Sequence, residues 1–108
     1  MKESPSGFNL NRNEETLRKH YEEECALIKW KELDRFFAAG KVIEIKRGLS
    51  IVEAAVAMAI DDQSRFTEWV NSKTVSVVSD ERAKEWFEKE AEILAVTVPP
   101  WVLVQRSD

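Results

Sequence analysis

KVIEIKRGLSIVEAAVAMAIDD, residues 41–62, reads as strand, turn and helix, and it is the apolar centre around which the rest of the chain is arranged. Val42, Ile43 and Ile45 are β-branched and stand among Lys41, Glu44 and Lys46. This partial alternation turns one apolar row inward and charge outward. Arg47-Gly48 then turns the chain. Ser50 and Glu53 have the S-x-x-E spacing of a capping box, in which the serine oxygen accepts the Glu53 amide and the carboxylate returns to the serine amide. From Ala54 to Ile60 the helix carries no charge, so nearly its whole circumference is apolar and several elements are expected to cover it. The run is far short of the roughly 20 apolar residues that span a bilayer.

Upstream, Asn13 is a candidate helix cap followed by Glu14 and Glu15, which favour the positive end of the helix dipole. Leu17, Tyr21 and Ile28 trace one face of this first helix. A second helix is expected from the spacing of Trp30, Leu33, Phe36 and Phe37, ending at Gly40, whose tolerance of positive φ suits a helix stop. Residues 1–12, rich in Ser, Asn, Gly and Pro, read as a flexible tail, with Phe8 and Leu10 able to tack onto the domain. Downstream, Asp61-Asp62 offers a cap for a helix over 63–71 with Phe66, Trp69 and Val70 inward. Residues 74–78 alternate as a strand, and Ser79 caps a last helix that buries Ala83, Trp86, Phe87 and Ala91. Leu94 to Val98 and Trp101 to Val104 are apolar at almost every position and predict strands covered on both faces, either central or at a subunit interface. Pro99-Pro100 between them cannot donate ladder hydrogen bonds and forces a turn or kink. The unit from Arg35 to Val42 is faintly echoed from Arg65 to Val75, a likeness that any two helix–strand–helix units would share.

The expected fold is therefore α+β, a small domain over 13–108 with about five helices on a short mixed sheet of three to four strands. The 108 residues allow one core, and 44% hydrophobic with 33% charged residues is ordinary globular composition. A net charge of -4 supplies no electrostatic reason for nucleic acid or anionic membrane as partner, while leaving room for a local basic patch. One cysteine, Cys25, allows neither an internal disulfide nor a thiolate zinc cluster. The polar start has no apolar signal segment, so a cytoplasmic protein is expected.

The segments WKELDRFFAAG (30–40), the Asp61-Asp62 pair, VSDERAKEWFE (78–88) and PWVLVQ (100–105) together resemble the small bacterial proteins of the domain of unknown function 2288 family. The resemblance covers the chain from about Ile28 to Gln105. It implies a bacterial, cytoplasmic, single-domain protein and brings no activity, ligand or catalytic residue.

Candidate chemistry is sparse. His20 and Cys25 are five apart, which on one helix sets them about 140° apart around the axis, too far for a thiolate–imidazole pair. Asp61 and Asp62, with Glu53 two turns earlier, are candidate ligands for a hard divalent cation, although helix capping accounts for them with nothing added. Lys41, Lys46 and Arg47 gather near the first strand and turn, as a solvated face or as a local anion patch. No phosphate loop, dinucleotide fingerprint, nucleophile elbow or H-E-x-x-H motif occurs, so no catalytic residue and no cofactor is expected. The preferred reading is a non-catalytic interaction or structural module that self-associates as a homodimer. Four tryptophans and five phenylalanines exceed the needs of a lone small core, and Trp101, Val102 and Leu103 are the interface candidates. One alternative is a winged helix-turn-helix nucleic-acid binder that uses 63–71 as recognition helix, against which Asp61, Asp62 and Glu68 argue. The other is a small enzyme or ligand binder using scattered carboxylates.

Overall fold

The computed structural model describes residues 13–106. The tail expected over 1–12, with Phe8 and Leu10, lies outside the described residues. In chain order the elements are α1 (Glu14–Glu24), β1 (Ala26–Lys29), a 3-10 turn (Trp30–Leu33) running into α2 (Asp34–Ala38), and β2 (Val42–Ile45). Then follow α3 (Ile51–Ala59), α4 (Gln63–Asn71), β3 (Val75–Val77), α5 (Asp80–Glu88), β4 (Glu92–Val98) and β5 (Trp101–Gln105). The strands form one mixed sheet in the order β1-β4-β5-β2-β3, with β2 and β5 parallel and every other neighbour antiparallel.

The fold is α+β as expected, with five strands where three to four were expected. The additional one is β1, whose Ala26, Leu27 and Ile28 read in the sequence as a continuation of the first helix. Here the helix stops at Glu24, its last turn acidic and without a basic residue, an arrangement that opposes the dipole. The chain then turns extended at Cys25 and pairs Leu27 with Leu94 and Ile28 with Ile93. The second expected helix is likewise shorter and starts as a 3-10 turn, in which the Trp30 amide donates to the Ala91 carbonyl at 3.0 Å. Phe36 consequently faces solvent, and Phe37 packs against Trp30 with ring centroids 5.5 Å apart.

Both faces of the sheet are covered. On one face α5, α2 and the 3-10 turn enclose Trp30, Trp86, Val42, Ile93, Val102 and Val104. On the other, α1 and α3 pack with Tyr21, Ile45, Ile51, Val56, Val96 and Leu103, and α4 adds Phe66 and Trp69 from outside. The apolar α3 is buried at Ile51, Ala54, Ala55, Val56 and Ala57, and alanines at these positions let the helix approach the sheet closely. Ser50 caps α3 by accepting the Val52 and Glu53 amides, but the reciprocal half of the capping box is not made. The Glu53 carboxylate instead receives Arg18 from α1, with Nη2 to Oε1 at 3.1 Å, and Arg65 of α4 lies 3.7 Å away. Three helices are thus tied by one carboxylate. That contact holds the Glu53 carboxyl below its ordinary value, the Arg18 hydrogen bond contributing most. Asn13, Asp62 and Ser79 cap α1, α4 and α5 through side-chain oxygens. Gly40 takes φ 72° after α2, the left-handed conformation foreseen for it. The link between β4 and β5 carries a cis Pro99–Pro100 peptide.

Candidate functional site

Because β2 and β5 run parallel at the middle of the sheet, their ends differ, and each end opens into a concave surface. At the amino ends the α3–α4 layer covers Ile45, Val75 and Leu103 but stops short of the next residues on that face. Ile43, Val77 and Trp101, one from each of three adjacent strands, floor a groove of about 400 Å³ walled by Phe66, Val70 and Lys73. Val70 and Val77, 51% and 63% exposed, stand at its rim. The sequence placed Val70 inward, but of the three expected α4 residues only Phe66 and Trp69 pack against the core and Val70 is exposed. Beside the groove, β3 pairs with β2 alone, and its outer edge has no partner among the described residues.

The three interface candidates separate here. Trp101 is half-buried in the groove with Lys41 Nζ 4.8 Å from its ring centroid. Val102 and Leu103 lie between β4 and β2 and are 3% and 0% exposed, so both are interior residues of this chain and present no surface to a second molecule. Their run of apolar character reflects a strand covered on both faces by its own helices. The last-helix assignment needs one correction too: Ala83, Trp86 and Ala91 are buried, but Phe87 is exposed, one helical step beyond the stripe.

At the carboxyl ends of β2 and β5 the surface is charged. Glu44 is 4% exposed, set under α5, where the alternation in sequence had turned it outward. Its carboxylate takes a bidentate fork from Arg82, Nε to Oε1 at 3.3 Å and Nη2 to Oε2 at 2.6 Å. The Arg82 guanidinium also lies 4.8 Å from the Trp86 ring centroid. A hollow of about 510 Å³ opens above this pair, lined by Glu44, Lys46, Arg47, Arg82 and Arg106 with Ile45. The Glu44 hydrogen bond raises the Arg82 pKa, and Arg106 works against it by like-charge repulsion. Of these residues the sequence singled out Lys46 and Arg47 only. Glu44 was the available signal: a carboxylate inside a strand that is covered on both faces requires a counter-charge.

The remaining sequence candidates are dispersed. Asp62 is spent on the α4 cap, accepting the Arg65 amide at 3.2 Å, and Asp61 sits at φ 59° in the turn before it. Among the described residues no group of three or more His, Cys, Asp and Glu side chains is close enough to hold a metal ion. Glu53 is occupied by Arg18 and Arg65. His20 is exposed and touches Tyr21 edge-on, while the Cys25 thiol is half-buried, its pKa raised by burial and then by Glu22. Lys41 is remote from Lys46 and Arg47, at the opposite end of β2. On α4, Gln63, Ser64, Thr67 and Glu68 are exposed, and Arg65 is drawn to Glu53 and Asp62. The chain leaves β3 for α5, where a winged reader would form a second hairpin strand. No helix among the described residues is long and apolar enough to cross a membrane.

Among curated proteins nothing matches the chain. Among solved structures it is similar to the NMR solution structure of PA1075 from Pseudomonas aeruginosa, at 35% identity over 86% of each chain and a TM-score of 0.76. The family model described as "Protein of unknown function (DUF2288)" matches residues 16–106. These residues hold every helix but the first turn of α1 and all five strands, so the chain belongs to the DUF2288 family.

Proposed function

We propose that the protein is a non-catalytic interaction module that pairs with a second copy of itself through the β3 edge and the adjoining groove. The observation that carries this reading is the juxtaposition of an unpaired strand edge with Val70, Val77 and Trp101 in one apolar concavity. An open edge offers unsatisfied amides and carbonyls to another strand, and a flanking apolar patch adds the side-chain burial that a three-residue edge lacks. Antiparallel pairing of two β3 strands about a two-fold axis is isologous, joins two five-stranded sheets into one, and brings each Val77 against the partner's groove. Trp101 serves as the aromatic anchor, stiffened by Lys41 over its ring.

Light scattering over a range of protein concentrations tests it. The wild-type chain is expected to have twice the monomer mass. Val77→Lys, which adds charge at an exposed edge position, is expected to give a folded monomer with unchanged circular dichroism. Trp101→Ala is expected to weaken the dimer while leaving the fold in place. A wild-type chain that stays monomeric at every concentration, or a Val77→Lys variant that stays dimeric, refutes the proposal.

A further inference from the structure

The hollow at the carboxyl ends of β2 and β5 stands apart from the apolar groove, on the opposite face of the sheet and at the other end of the strands. Its lining carries four cationic side chains, Lys46, Arg47, Arg82 and Arg106, against the one carboxylate of Glu44, in a chain whose net charge is -4. Glu44 balances Arg82, and Glu85 feels the charge of both Arg82 and Arg106, so the cations left without a counter-charge are Lys46 and Arg47. Arg106 acts on Arg82 as a like charge, and neither Lys46 nor Arg47 has an ion-pair partner among the described residues. We propose that this hollow binds a small phosphorylated molecule, its phosphate held among Lys46, Arg47, Arg82 and Arg106.

Three features point to this chemistry. The first is preorganisation: Glu44 grips two nitrogens of the Arg82 fork and Trp86 lies against the guanidinium, so this cation is fixed before a ligand arrives. Glu85, 3.8 Å from Arg82 Nη1, is the competing carboxylate on α5, and its own closer partner is Lys89 at 2.9 Å. The second is charge number. With Arg82 balanced by Glu44, the two cations without an ion-pair partner, Lys46 and Arg47, match the charge of a dianionic group, and guanidinium forks match the oxygens of phosphate. The third is place and size. The hollow lies outside the carboxyl ends of the one parallel strand pair, and its volume of about 510 Å³ falls within the range of small-molecule sites. It is a single concavity beside α5, whose first turn carries Asp80 and Glu81, where a nucleic-acid strand would need a basic track.

Titration of the ¹⁵N-labelled full chain with pyrophosphate at constant ionic strength, followed by amide chemical shifts, tests the assignment. Saturable shifts are expected at Lys46, Arg47, Gly48 and Arg106, with acetate at least tenfold weaker. Arg47→Glu, at an exposed position, is expected to weaken pyrophosphate tenfold or more with an otherwise native spectrum. Lys19→Glu on α1, the same change of charge sign on a distant surface, leaves it unaltered. The assignment is overturned by shifts that never saturate, by equal loss in both variants, or by shifts spread over lysines outside the hollow. A mixed-sequence oligonucleotide bound tenfold more tightly than pyrophosphate overturns the small-molecule class.

Discussion

Arg82→Met separates the two jobs of the Glu44–Arg82 pair. Glu44 is enclosed by β2, β5 and α5, its side chain 6% exposed, whereas the Arg82 side chain is 41% exposed at the mouth of the hollow. Methionine preserves most of the arginine stem and its packing on Trp86 but withdraws the fork. A carboxylate is then left buried without its counter-charge. Removing one partner of a buried pair costs about 3–5 kcal/mol, and access of water at the Arg82 end places this case near 3 kcal/mol. Loss of the cation over the Trp86 ring adds about 0.5–1 kcal/mol. The two together come to about 3.5–4 kcal/mol, and at about 4–8 °C per kcal/mol for a domain of this size the melting temperature is expected to fall by roughly 14–32 °C.

The double variant Glu44→Met/Arg82→Met removes both charges and replaces them with apolar groups, so it is expected to lie within about 1 kcal/mol of the wild type. Urea unfolding followed by tryptophan fluorescence measures four chains: the wild type, Arg82→Met, Glu44→Met and the double variant. The coupling between the sites is the difference between the double variant and the sum of the single ones, and it should come to about 2 kcal/mol or more. Arg82→Met costing under 1 kcal/mol, or a double variant as unstable as Arg82→Met alone, refutes the reasoning. In either case Glu44 would not depend on Arg82, and the fork would not be preorganised by burial.

Two further outcomes follow from other contacts. Glu53 titrates below its ordinary value because of Arg18, so its stabilisation is fully present above the unfolded-state pKa of about 4.3 and is lost as pH falls through the lower folded value. Glu53→Gln should therefore narrow its gap from the wild type as unfolding is measured from pH 7 down to pH 3, and a gap constant with pH contradicts this. Cys25 has its thiol pKa raised by burial and then by Glu22, which lowers the thiolate fraction at pH 8. Its reaction with a disulfide reagent should be at least severalfold slower in the folded chain than in urea, and equal rates would show an open thiol.

What could be read from residues 41–62 was the local grammar: a β-branched strand, a turn, a serine cap and an apolar helix, each set by neighbours within a few positions. The same holds for Gly40, Asp62 and Ser79. The errors lie where distant partners decide. Ile28 has helical spacing with Leu17 and Tyr21, and only the pairing of Ala26, Leu27 and Ile28 with Ala95, Leu94 and Ile93 makes this stretch a strand. The acidic run Glu22–Glu24 was a usable warning, since a helix disfavours anions in its last turn. Glu44 was turned outward by alternation because alternation says nothing about a helix arriving on the polar face. Val102 and Leu103 show the converse ambiguity, since a strand apolar on both faces looks alike whether its own helices or another subunit cover it.

The parallel pairing of β2 with β5 joins these observations into one arrangement. Antiparallel neighbours would put an amino and a carboxyl end at each edge of the sheet centre. Parallel register instead brings Lys41 next to Trp101 at one end and Lys46 next to Gln105 and Arg106 at the other. The helices then make the two ends different. The α3–α4 layer leaves Ile43 and Trp101 uncovered on its face, while α5 arrives on the opposite face carrying Arg82 to Glu44. The apolar groove and the cationic hollow are thereby held on the same two strands, separated by the buried residues Val42, Val102, Leu103 and Val104. The two sites share no lining residue, so the physical expectation is two sites that bind independently. Equal pyrophosphate affinity in the wild-type chain and in Val77→Lys would agree with that, and an affinity that tracks the oligomeric state would mean that the central strands shift when the edge pairs.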